Sequence, residues 1–188
     1  MKILKINEFL NESKDFKYEF GCVMLKFDID DWKKDVLSLI DEEDIYNEPH
    51  FGLEEECHVT VFFGIIPEKS ETKEVVEKIK ECDIDIDKVY ELRNISIFEN
   101  KDFDVVKFDV TDCDELKEMN KFIKKTFPNK QDHPDYKAHV TIGYVVKGKG
   151  KRYVKKLDKP IIAKPKRLVY SYPIDEGRSK RTTNIIEY

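Results

Sequence analysis

Paired cysteines are missing from this chain: its four cysteines stand at positions 22, 57, 82 and 113, and no Cys-x-x-Cys occurs. That excludes a readable zinc ribbon or dithiol redox site and leaves reduced thiols in a cytoplasmic protein as the expectation. Glycine and proline are scarce, seven of each in 188 residues, which excludes collagen-like and low-complexity classes. No apolar run approaches the roughly 20 residues that cross a bilayer. Residues 1–10 are apolar but interrupted by charge and carry no small-residue cleavage site, so neither a membrane anchor nor a signal peptide is expected. What the chain does have is core-forming material: 40% hydrophobic residues, including twelve Phe and nine Tyr, beside 39% charged residues. It is long enough for a single ordered domain, here taken as 16–188, behind an amphipathic segment, 1–15, with Ile3, Ile6, Phe9 and Leu10 on one stripe.

Negative charge dominates but is unevenly spread. From 147 to 181 thirteen Lys and Arg meet three Asp and Glu, a surplus of ten that leaves −15 for the remainder of a chain whose total is −5. An acidic body disfavours a long nucleic acid lying across the whole surface, since such binding is driven by phosphate neutralisation. A compact anionic ligand beside the basic region is compatible with this pattern, and so is a plain solvated connection over 147–159.

Apolar alternation over 16–27 predicts a first strand, and Asp30 or Asp31 can cap a helix carrying Trp32, Val36, Leu39 and Ile40. A loop over 46–56 leads into an apolar strand closed by Pro67, and Ser70 or Thr72 opens a helix through Val75, Val76 and Ile79. Residues 89–98 and 103–110 read as a hairpin, and Thr111 or Asp112 caps a helix with Leu116, Met119, Phe122 and Ile123, stopped by Pro128. After a second loop, 129–138, comes another apolar strand; 161–173 and 181–188 read as two more around Asp175-Glu176-Gly177. Strands and helices mix without a strict βαβ rhythm, so the fold class expected is α+β with antiparallel sheets.

The two apolar strands that follow the loops carry the chemistry. They read Cys57-His58-Val59-Thr60-Val61-Phe62-Phe63-Gly64 and Ala138-His139-Val140-Thr141-Ile142-Gly143-Tyr144, with 81 positions from one His to the other. Strand alternation puts His58 and Thr60 on one face and Val59 and Val61 on the other, and sorts His139 and Thr141 the same way. With seven Thr and four His in the chain, two His-x-Thr tripeptides in matching strands are hard to assign to two satisfied core histidines. Two imidazoles that titrate near neutrality suit in-line displacement at phosphorus. One removes a proton from the attacking hydroxyl and the other gives one to the leaving oxygen, while the Thr60 and Thr141 hydroxyls donate to the non-bridging oxygens. No metal or other cofactor is expected, because neither strand carries His-x-His, His-Glu-x-x-His or an Asp-x-Asp run. Cys57 would point to the face opposite His58 and is not a nucleophile candidate.

Paired His-x-Thr strands about eighty residues apart, in a chain of this size, closely resemble the two-histidine phosphoesterase superfamily, which includes 2′-5′ RNA ligase-like proteins and RNA cyclic phosphodiesterases. The resemblance covers roughly 16–188. It implies a bilobal α+β fold, two antiparallel sheets facing each other across a cleft with helices on the outer faces, and one His-x-Thr per lobe. Phe51-Gly52-Leu53-Glu54, Ser96-Ile97-Phe98-Glu99-Asn100, the run 103–108, Pro134-Asp135-Tyr136 and the run 143–151 are similar to phage and phage-related members. Those include anti-CBASS phosphodiesterases, which cleave a host's cyclic di- and trinucleotide alarm signals. On that resemblance the substrate is a small cyclic oligonucleotide, hydrolysed at its 3′,5′ bonds in the host cytoplasm. Opening of RNA 2′,3′-cyclic phosphates, 2′-5′ ligation on linear RNA ends, and nucleotide sequestration without turnover are the alternatives. Many relatives place Pro before each His; Cys57 and Ala138 stand there instead, which changes strand-entry stiffness but removes no reactive group.

A bound nucleotide needs an aromatic face and a phosphate partner. Tyr18 in the first strand, Phe62 by alternation on the His58 face, and Tyr136 are the stacking candidates, while alternation sends Tyr144 to the face opposite His139. Lys147, closest in sequence to the second motif, and Arg178 are the phosphate candidates, and Glu176 a candidate for a base edge, although Asp-Glu-Gly is also an ordinary turn. His50 and His133 fall on the loops leading to the motifs and read as solvent-exposed.

Overall fold

The structure, a computed structural model, describes residues 19–29, 32–49, 51–82, 84, 85, 87–131, 135–174 and 181–186. The segment 1–15, Tyr18, His50, His133, Glu176 and Arg178 lie outside the described residues. Seven strands are formed: β1 (Gly21–Asp28), β2 (His58–Ile65), β3 (Tyr90–Glu99), β4 (Phe103–Val110), β5 (His139–Val146), β6 (Lys155–Pro173) and β7 (Arg181–Ile186). Helix α1 (Thr72–Lys80) connects β2 to β3, and α2 (Asp114–Thr126) connects β4 to β5.

Every strand pairing is antiparallel, in the order β1-β2-β5-β4-β3-β6-β7, and β6 also pairs with β1. That extra pairing closes six strands into a barrel-like ring and leaves β7 outside on β6. The α+β class with antiparallel pairing is as expected, but the hydrogen bonding describes one continuous sheet rather than two separate ones. Among the described residues its two blocks, β1-β2-β7 and β3-β4-β5, share β6 and otherwise pair strand to strand only at Val59–Val140. β6 joins them by its length of nineteen residues: its first half pairs with β3 and its second with β1 and β7. It begins at Lys155, not near 161, because Lys155 and Lys156 enter the ladder opposite Ile95 and Asn94 through backbone groups while their side chains stay exposed.

The inner face of the ring and the helices bury one core. Leu25, Val59, Phe108, Val140 and Leu168 are covered together with Val75 and Ile79 of α1 and Leu116, Met119 and Ile123 of α2, the three- and four-residue spacings expected of amphipathic helices. Each such side chain contributes about 1.5–3 kcal/mol on burial. Two local expectations change. Helix α2 starts at Asp114 without a side-chain cap, and Asp112 sits at φ +52 instead of capping it. The helix expected after Asp31 is a π-helical turn, Trp32–Val36, followed by a 3-10 turn, Leu37–Leu39. Tertiary ties override local propensity there: the Trp32 indole donates to the Glu54 carbonyl at 2.8 Å, and Arg152 binds the Asp41 carboxylate. Among the described residues no helix is long and apolar enough to cross a membrane.

Candidate active site

The one β2–β5 bridge pair among the described residues sets the geometry. Val59 faces Val140 in antiparallel register, and both side chains point into the core. Stepping one residue either way along the two strands puts His58 across from Thr141 and Thr60 across from His139, all four half-buried on the face away from the core. Directly opposed β-carbons in such a pair lie on the order of 5 Å apart. By register each imidazole is thus matched to a hydroxyl of the other strand, in a pattern that a half-turn about the Val59–Val140 pair maps onto itself, and the His58 charge reaches His139.

The rings are held in the same way. His58 Nδ1 donates to the Glu56 carbonyl at 3.0 Å, and His139 Nδ1 donates to the Lys137 carbonyl at 2.7 Å. A carbonyl only accepts, so Nδ1 carries the hydrogen in both rings and Nε2 is the nitrogen free to gain or lose a proton. Among the described residues neither threonine hydroxyl has a hydrogen-bond partner, which leaves both available as donors to a ligand.

Each motif strand also bulges directly after its threonine. Val23 pairs with Phe62 and Met24 with Thr60, which leaves Val61 extra; Val106 pairs with Gly143 and Lys107 with Thr141, which leaves Ile142 extra. An inserted residue reverses the alternation that follows. In β2 this turns Phe62 into the core, where it is 0% exposed, so Phe62 is not a stacking face and the alternation-based expectation is corrected. Position five after each His, Phe63 and Tyr144, returns to the His face instead. Asn120 of α2 donates to the Val61 carbonyl at 2.7 Å and so satisfies the backbone group that the bulge takes out of the ladder.

Surroundings separate the two histidines. His139 lies edge-on to Phe98 with ring centres 5.0 Å apart, and Asp109 is its partner on β4. Next to Thr141 is Lys107, 3% exposed, whose ammonium meets Ser96 Oγ at 2.7 Å and Asp109 Oδ1 at 2.5 Å and sits 4.2 Å from the Phe98 ring centre. Burial pushes the His139 imidazole below its ordinary 6.5; the Lys137 carbonyl opposes this, and the Lys107 and His58 charges add to it. Burial alone would raise the Asp109 carboxyl, but the hydrogen bonds from Lys107 and Ser96 outweigh it and hold the group low.

His58 has carboxylates beside it. The 45–56 loop continues the sheet along the edge of β5 that β2 leaves bare, with bridges Ile45–Val145 and Leu53–Gly143 and with Glu54 N–H donating to the Ile142 carbonyl at 2.9 Å. Gly143 permits that approach, since a Cβ there would stand 3.0 Å from the Gly52 carbonyl oxygen and 2.8 Å from Leu53 Cδ2. Glu54 is thereby brought within electrostatic range of His58 and takes the Tyr144 hydroxyl as donor; burial raises its pKa, and the His58 charge works against this. Tyr144 is thus on the site side, contrary to simple alternation, but it holds Glu54 rather than a base.

The remaining candidates fall elsewhere. Tyr136 is packed against the core and donates its hydroxyl to the Thr60 carbonyl at 3.1 Å, bracing β2 from the loop before β5. Lys147 stands past the far end of β5, roughly 25 Å along the strand from His139 at about 3.3 Å per residue. Its ammonium is 3.0 Å from the wholly buried Asp104, which also accepts from the Gly148 and Gly150 N–H groups at 2.8 and 3.1 Å. Asp44, equally buried, takes Tyr153 Oη at 2.6 Å and Arg152 Nε at 2.9 Å, with Lys149 Nζ at 3.4 Å. The basic run after the second motif is therefore folded onto the protein's own acids, which corrects Lys147 as a phosphate ligand. Glu54, Phe98 and Lys107 stand in stretches that carry the family resemblance, but neither they nor Asp109 are site candidates from the sequence. One signal was present for Lys107, a lysine in the middle of the otherwise core-like run Phe103-Asp104-Val105-Val106-Lys107-Phe108. Among the described residues no group of three or more His, Cys, Asp or Glu side chains is placed to hold a metal ion.

Two His-x-Thr strands related about one bridging pair, in a closed antiparallel sheet, define a two-histidine phosphoesterase. The family model described as the 2′-5′ RNA ligase superfamily matches residues 29–165, and the chain belongs to that superfamily. Among solved structures, Usb1 from Kluyveromyces marxianus superposes with a TM-score of 0.57 at 12% identity over 88% of this chain and 97% of that one, a likeness of fold. The same protein with uridine monophosphate gives a TM-score of 0.48 at 14% identity over 71% of this chain and 75% of that one, too distant to inform the site. No curated protein matches the chain.

Proposed function

We propose that this protein is a metal-independent phosphodiesterase for small nucleotide phosphodiesters, with His139 as general base, His58 as general acid, and Thr60 and Thr141 as phosphate clamps. The observation that carries this reading is the register at Val59–Val140, which places each imidazole across from the other strand's hydroxyl. In the reaction, His139 Nε2 takes the proton of the attacking hydroxyl, a new P–O bond forms, the opposite P–O bond breaks, and His58 Nε2 protonates the departing oxygen. The two threonine hydroxyls donate to the non-bridging oxygens, where charge grows. The base role follows from the surroundings: burial, together with the nearby Lys107 ammonium, favours the neutral form of His139, and the acid role falls to the other imidazole, His58.

The preferred substrate class is small cyclic di- or trinucleotides, opened at a 3′,5′ bond. The pairing of 147–152 with Asp41, Asp44, Glu99 and Asp104 supports a compact ligand over long RNA, since it engages the basic residues nearest the end of β5 with the protein's own acids. A role against cyclic-nucleotide defence signalling rests on the resemblance of 51–54, 96–100 and 143–151 to phage-related members. The test is incubation with cyclic dinucleotides, cyclic trinucleotides and a 2′,3′-cyclic mononucleotide in EDTA. Cleavage of a cyclic oligonucleotide is expected; tight binding with every compound left intact would establish a sponge instead.

A further inference from the structure

Strand β6 carries a guanidinium that the reaction centre does not use. Lys26 is the β1 partner of His58, and Arg167 is the β6 partner of Lys26. Directly opposed residues share a face, so His58, Lys26 and Arg167 form a row across three neighbouring strands, on the order of 10 Å from end to end along the backbone. The register slips next to Arg167: Lys26 pairs with Arg167 but Phe27 with Pro165, which leaves Lys166 extra in β6. Proline has no N–H for a ladder, and a pocket of ≈190 Å³ lies at this irregularity, lined in part by Lys26, Trp32, Glu56, Cys57, Lys166 and Arg167.

Charges in that pocket are unequal in one respect. Lys26 Nζ binds the Glu56 carboxylate, and Lys166 Nζ lies 3.6 Å from Asp28. Glu55, also at the rim, is exposed. Arg167 has no ion pair among the described residues, and its Nε is buried without a hydrogen-bond partner, although Glu56 is close enough to feel its charge. A buried donor without a partner is costly, and the planar guanidinium fork matches phosphate oxygens.

We infer that Arg167 is a second phosphate subsite, which binds the phosphate next to the scissile one and so selects di- and oligonucleotides over mononucleotides. This rests on the phosphodiesterase reading above, because the row starts at His58. With one phosphate between the two threonines, the neighbouring phosphate lies along the His58–Lys26–Arg167 row, beside a pocket that Arg167 and Trp32 both line.

The experiment compares equilibrium binding of diadenylate with a non-hydrolysable phosphonate linkage, bearing a phosphate at its 5′ or its 3′ end, with the same dinucleotide bearing neither. The proteins are the wild type, Arg167→Gln and Arg167→Lys. The wild type is expected to favour one phosphorylated form by about tenfold or more, the size of a charge-assisted contact. Arg167→Gln should bring that ratio near one, and Arg167→Lys, which keeps a cation in β6, should fall between. Equal binding of all three ligands by the wild type overturns the subsite, as does a full preference in either variant; if Arg167→Gln does not fold, the Arg167→Lys ratio decides alone. Cleavage of the corresponding phosphodiester dinucleotides and of cyclic di- and trinucleotides is followed in parallel. Intact ligands throughout that set overturn the phosphodiesterase reading, while the binding ratios still test Arg167.

Discussion

Replacing Lys107 by Met tests the acid–base assignment most directly. Lys107 Nζ is 4.2 Å from the Phe98 ring centre, which is 5.0 Å from the His139 ring centre, so the ammonium lies no more than about 9 Å from the imidazole. At an effective dielectric of about 20, unit charges at that distance interact by about 1.8 kcal/mol, equivalent to a little over one pH unit. The ammonium disfavours the protonated ring, so its loss raises the pKa of His139, and Asp109, then unopposed, pushes the same way. The assay is the pH dependence of kcat/KM on a cleaved dinucleotide, together with an NMR titration of the His139 ring, which needs no turnover. The limb that reports deprotonation of the base should move to higher pH by about one unit, and the NMR midpoint should move with it. A limb that stays in place, or moves to lower pH, would refute His139 as the base. The Met side chain fills the space of a residue that is 3% exposed, and the Asp109 side chain, 43% exposed, is relieved by water, so the variant should remain folded.

Three further outcomes are expected. His58→Ala and His139→Ala each lower turnover at least about a hundredfold with unchanged circular dichroism, the size of one lost proton transfer; a mild effect at either removes it from the pair. Asp104→Ala leaves Lys147 and two backbone N–H groups without their acceptor and should cost about 3 kcal/mol, read in urea or as a melting temperature lower by about 6–12 °C. Stability should fall as the pH drops below 6.5, because His139 is harder to protonate folded than unfolded, so its stabilisation is complete above 6.5 and is lost as the unfolded chain takes up the proton. His139→Asn should flatten that part of the profile, leaving the more acidic loss that comes from Asp109, whose carboxyl is held below 3.8 in the fold.

Much of the site was legible because strand and helix periods are local. His58, Thr60, His139 and Thr141 share a face by simple alternation, and the apolar stripes of α1 and α2 are written at three- and four-residue spacing. Alternation then misplaced Phe62 and Tyr144 because Val61 and Ile142 are bulge residues, and nothing about an ordinary β-branched residue announces a bulge. Lys147 misled for a related reason: eight positions in sequence are near, but eight positions along an extended strand are not. Lys107, Asp109 and Phe98 reach His139 from strands that are adjacent in the sheet and remote in sequence.

By itself the sequence determined the chemical groups and their pairing on faces, since residue type and a period of two are enough to specify an imidazole beside a hydroxyl, twice. Only the tertiary structure decided that the two faces are one site. A single bridge pair, Val59 with Val140, fixes the register between strands 81 positions apart, and a slip of one residue there would send one His-Thr pair into the core. The same long-range pairing brings a buried ammonium to one histidine and carboxylates to the other, and an environment built from distant strands has no local pattern in the chain.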